Sequence, residues 1–343
     1  MGIVSTLALG AGTGLASYLM MKTVQRVMRQ GLGQRIFVAI ANYRDPEIER
    51  TLADLFAKAA RPERVVAGVL DQVLPGERYS DPPTFGGRIR RMRMDSRESG
   101  GACWARHLLF EKLLGDEEYV LQIDSHSRFE QGWDERLLSM LDSCPRRSVL
   151  SKYPVGYHSS GTLDVPSICP PVPAYFSDQG VLGIQPGRAI RYEARPSRPI
   201  LNSCIVAGFI FAPRILFEEV PYDPHLYFYG EEASLSARYW THGWDIYVPN
   251  DVVVYHLYGR ESSPRHWTDH AHWHDREVRS TARFRHLFGI ERASDPLVTE
   301  GLHLFGLGSK RSLSDYERFI DVRFNEKIVG PRAMSWMFDG LEC

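Results

Sequence analysis

Cysteine is scarce in this chain. There are 5 in 343 residues, at positions 103, 144, 169, 204 and 343, widely spaced and with no C-x-x-C pair. That usage excludes a disulfide scaffold and a zinc ribbon, and it points to inert thiols in a reducing, cytoplasmic setting. Net charge is missing as well: 41 Lys and Arg stand against 42 Asp and Glu, a balance of −1. The chain therefore has no global pull toward nucleic acid, and any anionic ligand must be met by local Arg or Lys. Internal repeats are absent too. What is present is enough apolar material to fold, 43% hydrophobic and 11% aromatic, so disorder is not expected. The length allows one large core or two modest ones.

A long uncharged run occurs at the N-terminus, IVSTLALGAGTGLASYLMM at 3 to 21, followed by Lys22, Arg26, Arg29 and Arg35. It lacks a basic leading region and a cleavage site, which argues against a removable signal peptide. Its length is marginal for a membrane span of about 20 residues, and its glycines lower its hydrophobicity. Two readings stay open: a span, whose basic flank puts the main domain in the cytoplasm, or a helix lying on a membrane or on the protein. Residues 1 to 33 are expected to be membrane-associating.

From Arg35 the pattern changes. IFVAIANY reads as a strand buried on both faces, Asp45-Pro46 opens a helix with Ile48, Leu52, Leu55 and Phe56 on its apolar face, and RVVAGVL at 64 to 70 is a second buried strand. Strand, helix, strand at this spacing predicts a right-handed βαβ unit in a parallel sheet. Asp71 follows that second strand, where α/β proteins place ligands. Arg88 to Met94 reads as a short strand, ESGGACWARHLLFEKLL as a Gly pair opening a helix, and Tyr119 to Ile123 as another strand. Residues 152 to 199 turn to Pro, Gly, Ser and Tyr, as expected of a loop-rich insertion over a binding site. CIVAGFIFAP, bent at Gly208, then FYGEEASLSARYW, DIYVP and DVVVYH restore regular elements. Two short helices are expected in a C-terminal extension over 291 to 343.

LQIDSHSRF at 121 to 129 places Asp124 at the end of a buried strand and His126 two residues on, so both point to one side. The pair reads as a polar turn or as ligands for a divalent cation; a mixed O,N set suits manganese better than magnesium and leaves open positions for substrate oxygens. GGACWARH sets Arg106 one turn beyond Gly100 and Gly101, either as a surface arginine at a helix start or close to a phosphate or carboxylate. Glu231 and Glu232 directly follow Gly230, where carboxylates serve the helix dipole or receive sugar hydroxyls. His256 ends DVVVYH. HWTDHAHWHD carries His266, His270, His272 and His274; His270 and His274 at i, i+4 could share a helical face as zinc ligands do, although no Glu stands between them.

Taken in order, IFVAIANYRDPEI, VLDQ, GGACWARH, LQIDSHSRF with Gly132-Trp133, AGFIF, FYGEE and VVVYH resemble the GT-A glycosyltransferases. The resemblance is to the cytosolic-type polypeptide N-acetylglucosaminyltransferases acting on hydroxyproline, with Asp-x-His in place of Asp-x-Asp. It covers about Arg35 to Leu287. It implies an α/β fold of GT-A type, an open, Rossmann-like, mostly parallel twisted sheet flanked by helices over 34 to 290. It also implies a UDP-sugar donor, Mn2+ or another divalent cation, a hydroxyl acceptor on a protein, and retention of configuration. By that resemblance Asp124, His126 and His256 bind the metal. Ala41, Asn42 and Arg44 lie beside the uridine, Asp71 on the base or ribose side, Arg106 on the nucleotide-side helix and Gly208 along the sugar, while Glu231 and Glu232 receive hydroxyls. Two other readings compete: a non-catalytic UDP-sugar-binding scaffold at a membrane, and a zinc hydrolase using the 266 to 274 histidines.

Overall fold

The computed structural model describes residues 33–259 and 263–335. The N-terminal run at 3 to 21 therefore lies outside the described residues. Among those described, no helix is long and apolar enough to cross a membrane.

The first βαβ unit forms as its sequence predicts. Strand β1, Ile36–Tyr43, pairs in parallel with β2, Val65–Val73, across helix α1, Glu47–Lys58. Alternate β1 side chains enter two different layers. Ile36, Val38 and Ile40 pack with Ile48, Leu52 and Leu55 of α1, while Phe37 and Ala39 pack on the opposite face with Cys103, Ala105 and Leu109. Two covered faces explain the continuous apolar run. Helix α1 starts right after Asp45, whose carboxylate accepts the Glu47 N–H at 3.1 Å, and Lys58 sits in its last turn.

The sheet continues with β3, Ile89–Asp95, and β4, Tyr119–Asp124, separated by α2, Ala102–Leu113. A short β5, Ser127–Phe129, and helix α3, Trp133–Asp142, lead to β6, Ser148–Leu150. The stretch read as a loop-rich insertion holds five short strands: β7, Val155–Tyr157, β8, Ser167–Ile168, β9, Pro171–Phe176, β10, Leu182–Pro186, and β11, Ile190–Arg191. Its Pro and Gly content hid them, because strands of two to six residues carry too little alternation to stand out. Then come β12, Ile200–Asn202, β13, Phe209–Pro213, α4, Arg214–Glu219, α5, Glu231–Thr241, β14, Asp245–Val248, and β15, Val254–Leu257.

The eight-stranded main sheet has the order β12-β14-β6-β13-β4-β1-β2-β3. Strand β13 is antiparallel to both β4 and β6, and β12 to β14; the remaining pairings are parallel. This is the expected open, mostly parallel sheet with helices on both faces. A second sheet, β5-β15-β7, lies beyond the carboxyl end of β4.

The polypeptide then runs through α6, His266–Asp269, α7, Trp273–Leu287, α8, Pro296–Thr299, α9, Leu302–Phe305, and α10, Leu313–Ile320. A small hairpin of β16, Val322–Arg323, and β17, Ile328–Val329, precedes α11, Pro331–Ser335. The C-terminal part holds more elements than the two helices expected. Tyr316, Ile320, Val322 and Phe324 share one buried cluster with Val181, Ala237, Phe284 and Phe288.

Candidate active site

A cavity of about 900 Å³ opens at the carboxyl ends of β1 and β4, bounded by α2, α5, the β9–β10 hairpin and the segment leading into α6. Strand β4 delivers Asp124 to it. The chain turns at Ser125, and pairing of β15 with β5 sets His256 opposite Ser127, which brings its ring to His126. Among the described residues, Asp124, His126 and His256 are the single group of His, Cys, Asp or Glu whose ligand atoms gather within 4.8 Å of one another.

His126 Nε2 lies 2.9 Å from His256 Nε2, which lies 3.1 Å from Asp124 Oδ2. On its far side His126 Nδ1 lies 2.8 Å from Asp45 Oδ2, which also accepts the Ser125 hydroxyl at 2.7 Å. A carboxylate behind an imidazole fixes the proton on Nδ1 and turns the Nε2 lone pair into the site, the arrangement seen behind metal-bound histidines. The Nε2 atoms of His126 and His256 and a carboxylate oxygen then converge on one point, and with the His256 proton on Nδ1 all three can ligate a cation. These residues fit a divalent ion. Gly208 contributes by having no side chain, since a Cβ there would stand 2.9 Å from Asp124 Oδ2.

Arg106 is buried, not a surface residue at a helix start. Its guanidinium spans two carboxylates, donating to Glu231 and, at 3.0 Å, to Asp124 Oδ1. Helix α2 enters from Gly101, whose φ of +101° suits glycine, and the Ala102 N–H donates to the Tyr227 carbonyl at 3.0 Å. Burial alone would raise the Asp124 carboxyl, but the His256 hydrogen bond and the Arg106 charge outweigh it and hold the group well below the usual carboxylate range. Glu232 differs from its neighbour. Its Oε1 accepts the Ala207 N–H at 2.9 Å, and burial pushes its pKa up to about 7 against that bond.

Ala41, Arg106, Gly208, Asp124, His126, His256, Glu231 and Glu232 thus border one cavity. Three other residues expected at the nucleotide do not line it. Asp71 lies within β2 rather than after it, fully buried, accepting from Asn42 Nδ2 at 2.8 Å and ion-paired with Arg91. Asn42 is buried with it. Arg44, at a φ of +46°, pairs with Glu77 at 3.0 Å and Asp269 at 3.1 Å. The strand ran past its apolar run because Arg91 compensates a buried acid, and residue spacing carries no trace of that partner. Gln72 and Tyr43 border the cavity instead. Asp45, read from sequence as a helix opener alone, is the residue whose role at His126 went unseen.

The histidine-rich stretch does not assemble a ligand set. His270 lies between two helices, bonded to the Tyr227 hydroxyl at 2.9 Å and the Ser96 carbonyl at 2.8 Å. His266 stacks on Tyr227 at 4.8 Å, and His272 and His274 are exposed. A break in the helix at His270 defeats the i, i+4 spacing.

Residues 35–85 and 76–326 match the family model described as Glycosyltransferase (GlcNAc). The chain belongs to that family. No curated protein matches this glycosyltransferase. Its fold is similar to the crystal structure of GalNAc-T7 with UDP, GalNAc and Mn2+, with a TM-score of 0.55 and 14% identity over 84% of this chain. The glycosyltransferase spans 56% of that protein's chain. A crystal structure of S. aureus TarS 1-349 matches at a TM-score of 0.42 and 15% identity, covering 84% of this chain and 78% of that one.

Proposed function

We propose that this glycosyltransferase is metal-dependent and moves N-acetylglucosamine, or a closely related sugar, from a UDP donor to a hydroxyl acceptor with retention of configuration. The observation that carries the reading is the convergence of Asp124, His126 and His256 beside the Arg106–Glu231 ion pair, at the carboxyl edge of the sheet in a chain of this family. The fold shared with GalNAc-T7, whose structure contains UDP, GalNAc and Mn2+, supports the donor and the ion.

In this reading Asp124, His126 and His256 hold the ion, and Asp45 orients His126. A bound divalent ion there would offset the charge of the departing diphosphate. Arg106 holds Asp124 and Glu231 in place, and Ala41 and Gly208 let the donor approach the backbone closely. Glu231, tied to Arg106, receives sugar hydroxyls. The acceptor attacks from the face that UDP leaves, and a phosphate oxygen of UDP takes its proton, so the protein contributes positioning. Glu232, with a pKa near 7, is the side chain able to take that proton instead if the reaction inverts.

The test is UDP release by purified protein from a panel of UDP-sugars, with manganese or with chelator. Release from one N-acetylhexosamine donor, lost with chelator and reduced about a hundredfold or more in Asp124→Ala, is the expected result. Release indifferent to chelator would overturn the metal assignment. The anomer of the product, read by NMR, decides between an α-glycoside, which the retaining route yields, and a β-glycoside, which would move the proton to Glu232.

A further inference from the structure

The cavity extends beyond the Asp124, His126 and His256 group, and its outer lining differs in chemistry. There the β9–β10 hairpin faces the start of α5 and the segment entering α6. Five large aromatic side chains that border the cavity stand open: Tyr175, 57% exposed, Phe228, 39%, Tyr229, 58%, Tyr258, 46%, and Trp267, 40%. Phe228 touches both Tyr229 and Trp267 edge-to-face, at 5.5 and 5.9 Å between ring centres. So much unburied ring at one cavity mouth is a binding feature rather than scattered surface.

Tyr175 is held as a platform. A Cβ on Gly183, across the hairpin, would stand 2.6 Å from the Tyr175 ring, so the ring lies on bare glycine backbone and presents its other side outward. The ladder between these strands also shifts register at Gly183 and Ile184. At the hairpin turn, Asp178 and Gln179 border the same lobe, are exposed and make no side-chain bond among the described residues. An open ring with an unengaged carboxylate and amide on the same hairpin, all bordering one cavity, matches a pyranose: the C–H face lies on the ring, and neighbouring hydroxyls pair with the carboxylate and the amide.

Charge narrows the class. Arg106 and Arg265 are the Lys or Arg side chains that border the cavity among the described residues. Arg106 is held by Asp124 and Glu231, and the Arg265 guanidinium lies 6.0 Å from the centre of the Trp267 ring. Against them stand Asp178 and Glu232, a balance unsuited to a polyanionic acceptor.

We infer that the outer lobe is an acceptor subsite for a neutral saccharide, seated on Tyr175 and bonded by Asp178 and Gln179, so that the transferred sugar extends a glycan. The inference rests on the donor reading above. The experiment uses the full chain with MnCl2, and UDP binding is measured first by calorimetry. The UDP-saturated protein is then titrated with chitotriose, cellotriose, maltotriose and mannotriose, and with a pool of Ser-, Thr- and hydroxyproline-bearing peptides. At least one trisaccharide is expected to bind, about tenfold more weakly to Tyr175→Ala and near normally to Tyr175→Phe, which keeps the ring. Should no trisaccharide bind the UDP-saturated protein, or Tyr175→Ala bind as the parent does, the saccharide subsite is overturned and the donor reading stands. Binding of the peptides alone has the same consequence and makes the lobe a peptide site. Absence of UDP binding removes both.

Discussion

Arg106 is the residue on which the site's electrostatics depend. Two carboxylates share its guanidinium in a buried position, and a planar fork can serve both where an ammonium point charge cannot. Arg106→Ala leaves Glu231 buried without its cation and Asp124 with His256 alone, so a loss of about 3–5 kcal/mol in urea unfolding is expected. Arg106→Lys should recover only part of that, and the comparison of the two variants checks the argument. Lys152 poses the opposite case. It is 1% exposed and its Nζ has no hydrogen-bond partner among the described residues. Burial pulls its pKa from 10.5 down to about 7, against the nearby charge of Asp251. Between those two values the unfolded chain keeps a proton that the folded one has released, so stability rises with pH across the window; below about 7 both forms are protonated and the full cost stands. Lys152→Met should therefore stabilise the protein at pH 7 by about 2–4 kcal/mol and flatten the pH dependence of its unfolding midpoint between 7 and 10. An unchanged slope would show that the amine is solvated.

At the scale of elements, the approach of α2 to the segment before α5 decides whether the site exists. Helix α2 carries Arg106, and it begins where Gly101 passes the Tyr227 backbone. A Cβ at Gly101 would stand 2.3 Å from the Tyr227 carbonyl oxygen, and the φ of +101° is itself unfavourable to a side chain. Gly101→Ala is expected to cost about 2–4 kcal/mol and to weaken UDP binding, because the helix can no longer present Arg106 between its two acids. Thermal unfolding together with UDP calorimetry measures both effects. The βα loop after β1 shows a subtler division of labour. Tyr43, the last residue of β1, donates to Asp269 at 2.7 Å and Arg44 pairs with the same carboxylate, so the strand end and the start of this loop hold α6 against the cavity.

For the molecule as a whole, the C-terminal elements belong to the structure that supports the site. Tyr316, Ile320, Val322 and Phe324 are buried against Ala237 of α5, Phe284 of α7 and Phe288 just after it, and α5 also carries Glu231 and Glu232. Burial of four such side chains contributes about 6–12 kcal/mol, comparable with the whole stability of an ordinary domain. Truncation after residue 290 is expected to give protein that fails to unfold cooperatively or is insoluble. A circular dichroism melt of the truncation beside the parent checks this, and a parent-like cooperative transition would overturn it.

Alternation and local spacing settled much of this protein. The apolar runs at 36 to 43 and 65 to 70 were enough for buried parallel strands, because a strand covered on both faces has no polar positions to place. Asp124, His126 and Glu231 could be named because strand ends and glycine turns mark where an α/β sheet meets its ligand. What tertiary structure alone decided is partnership. The acid that turns His126 comes from 81 residues away, and the base that neutralises Asp71 from 20. Tyr175 became a platform because Gly183 crosses beneath it. Each of these depends on which elements pack together, a property of the long-range contacts that bury charge and ring, and no period in the chain encodes it.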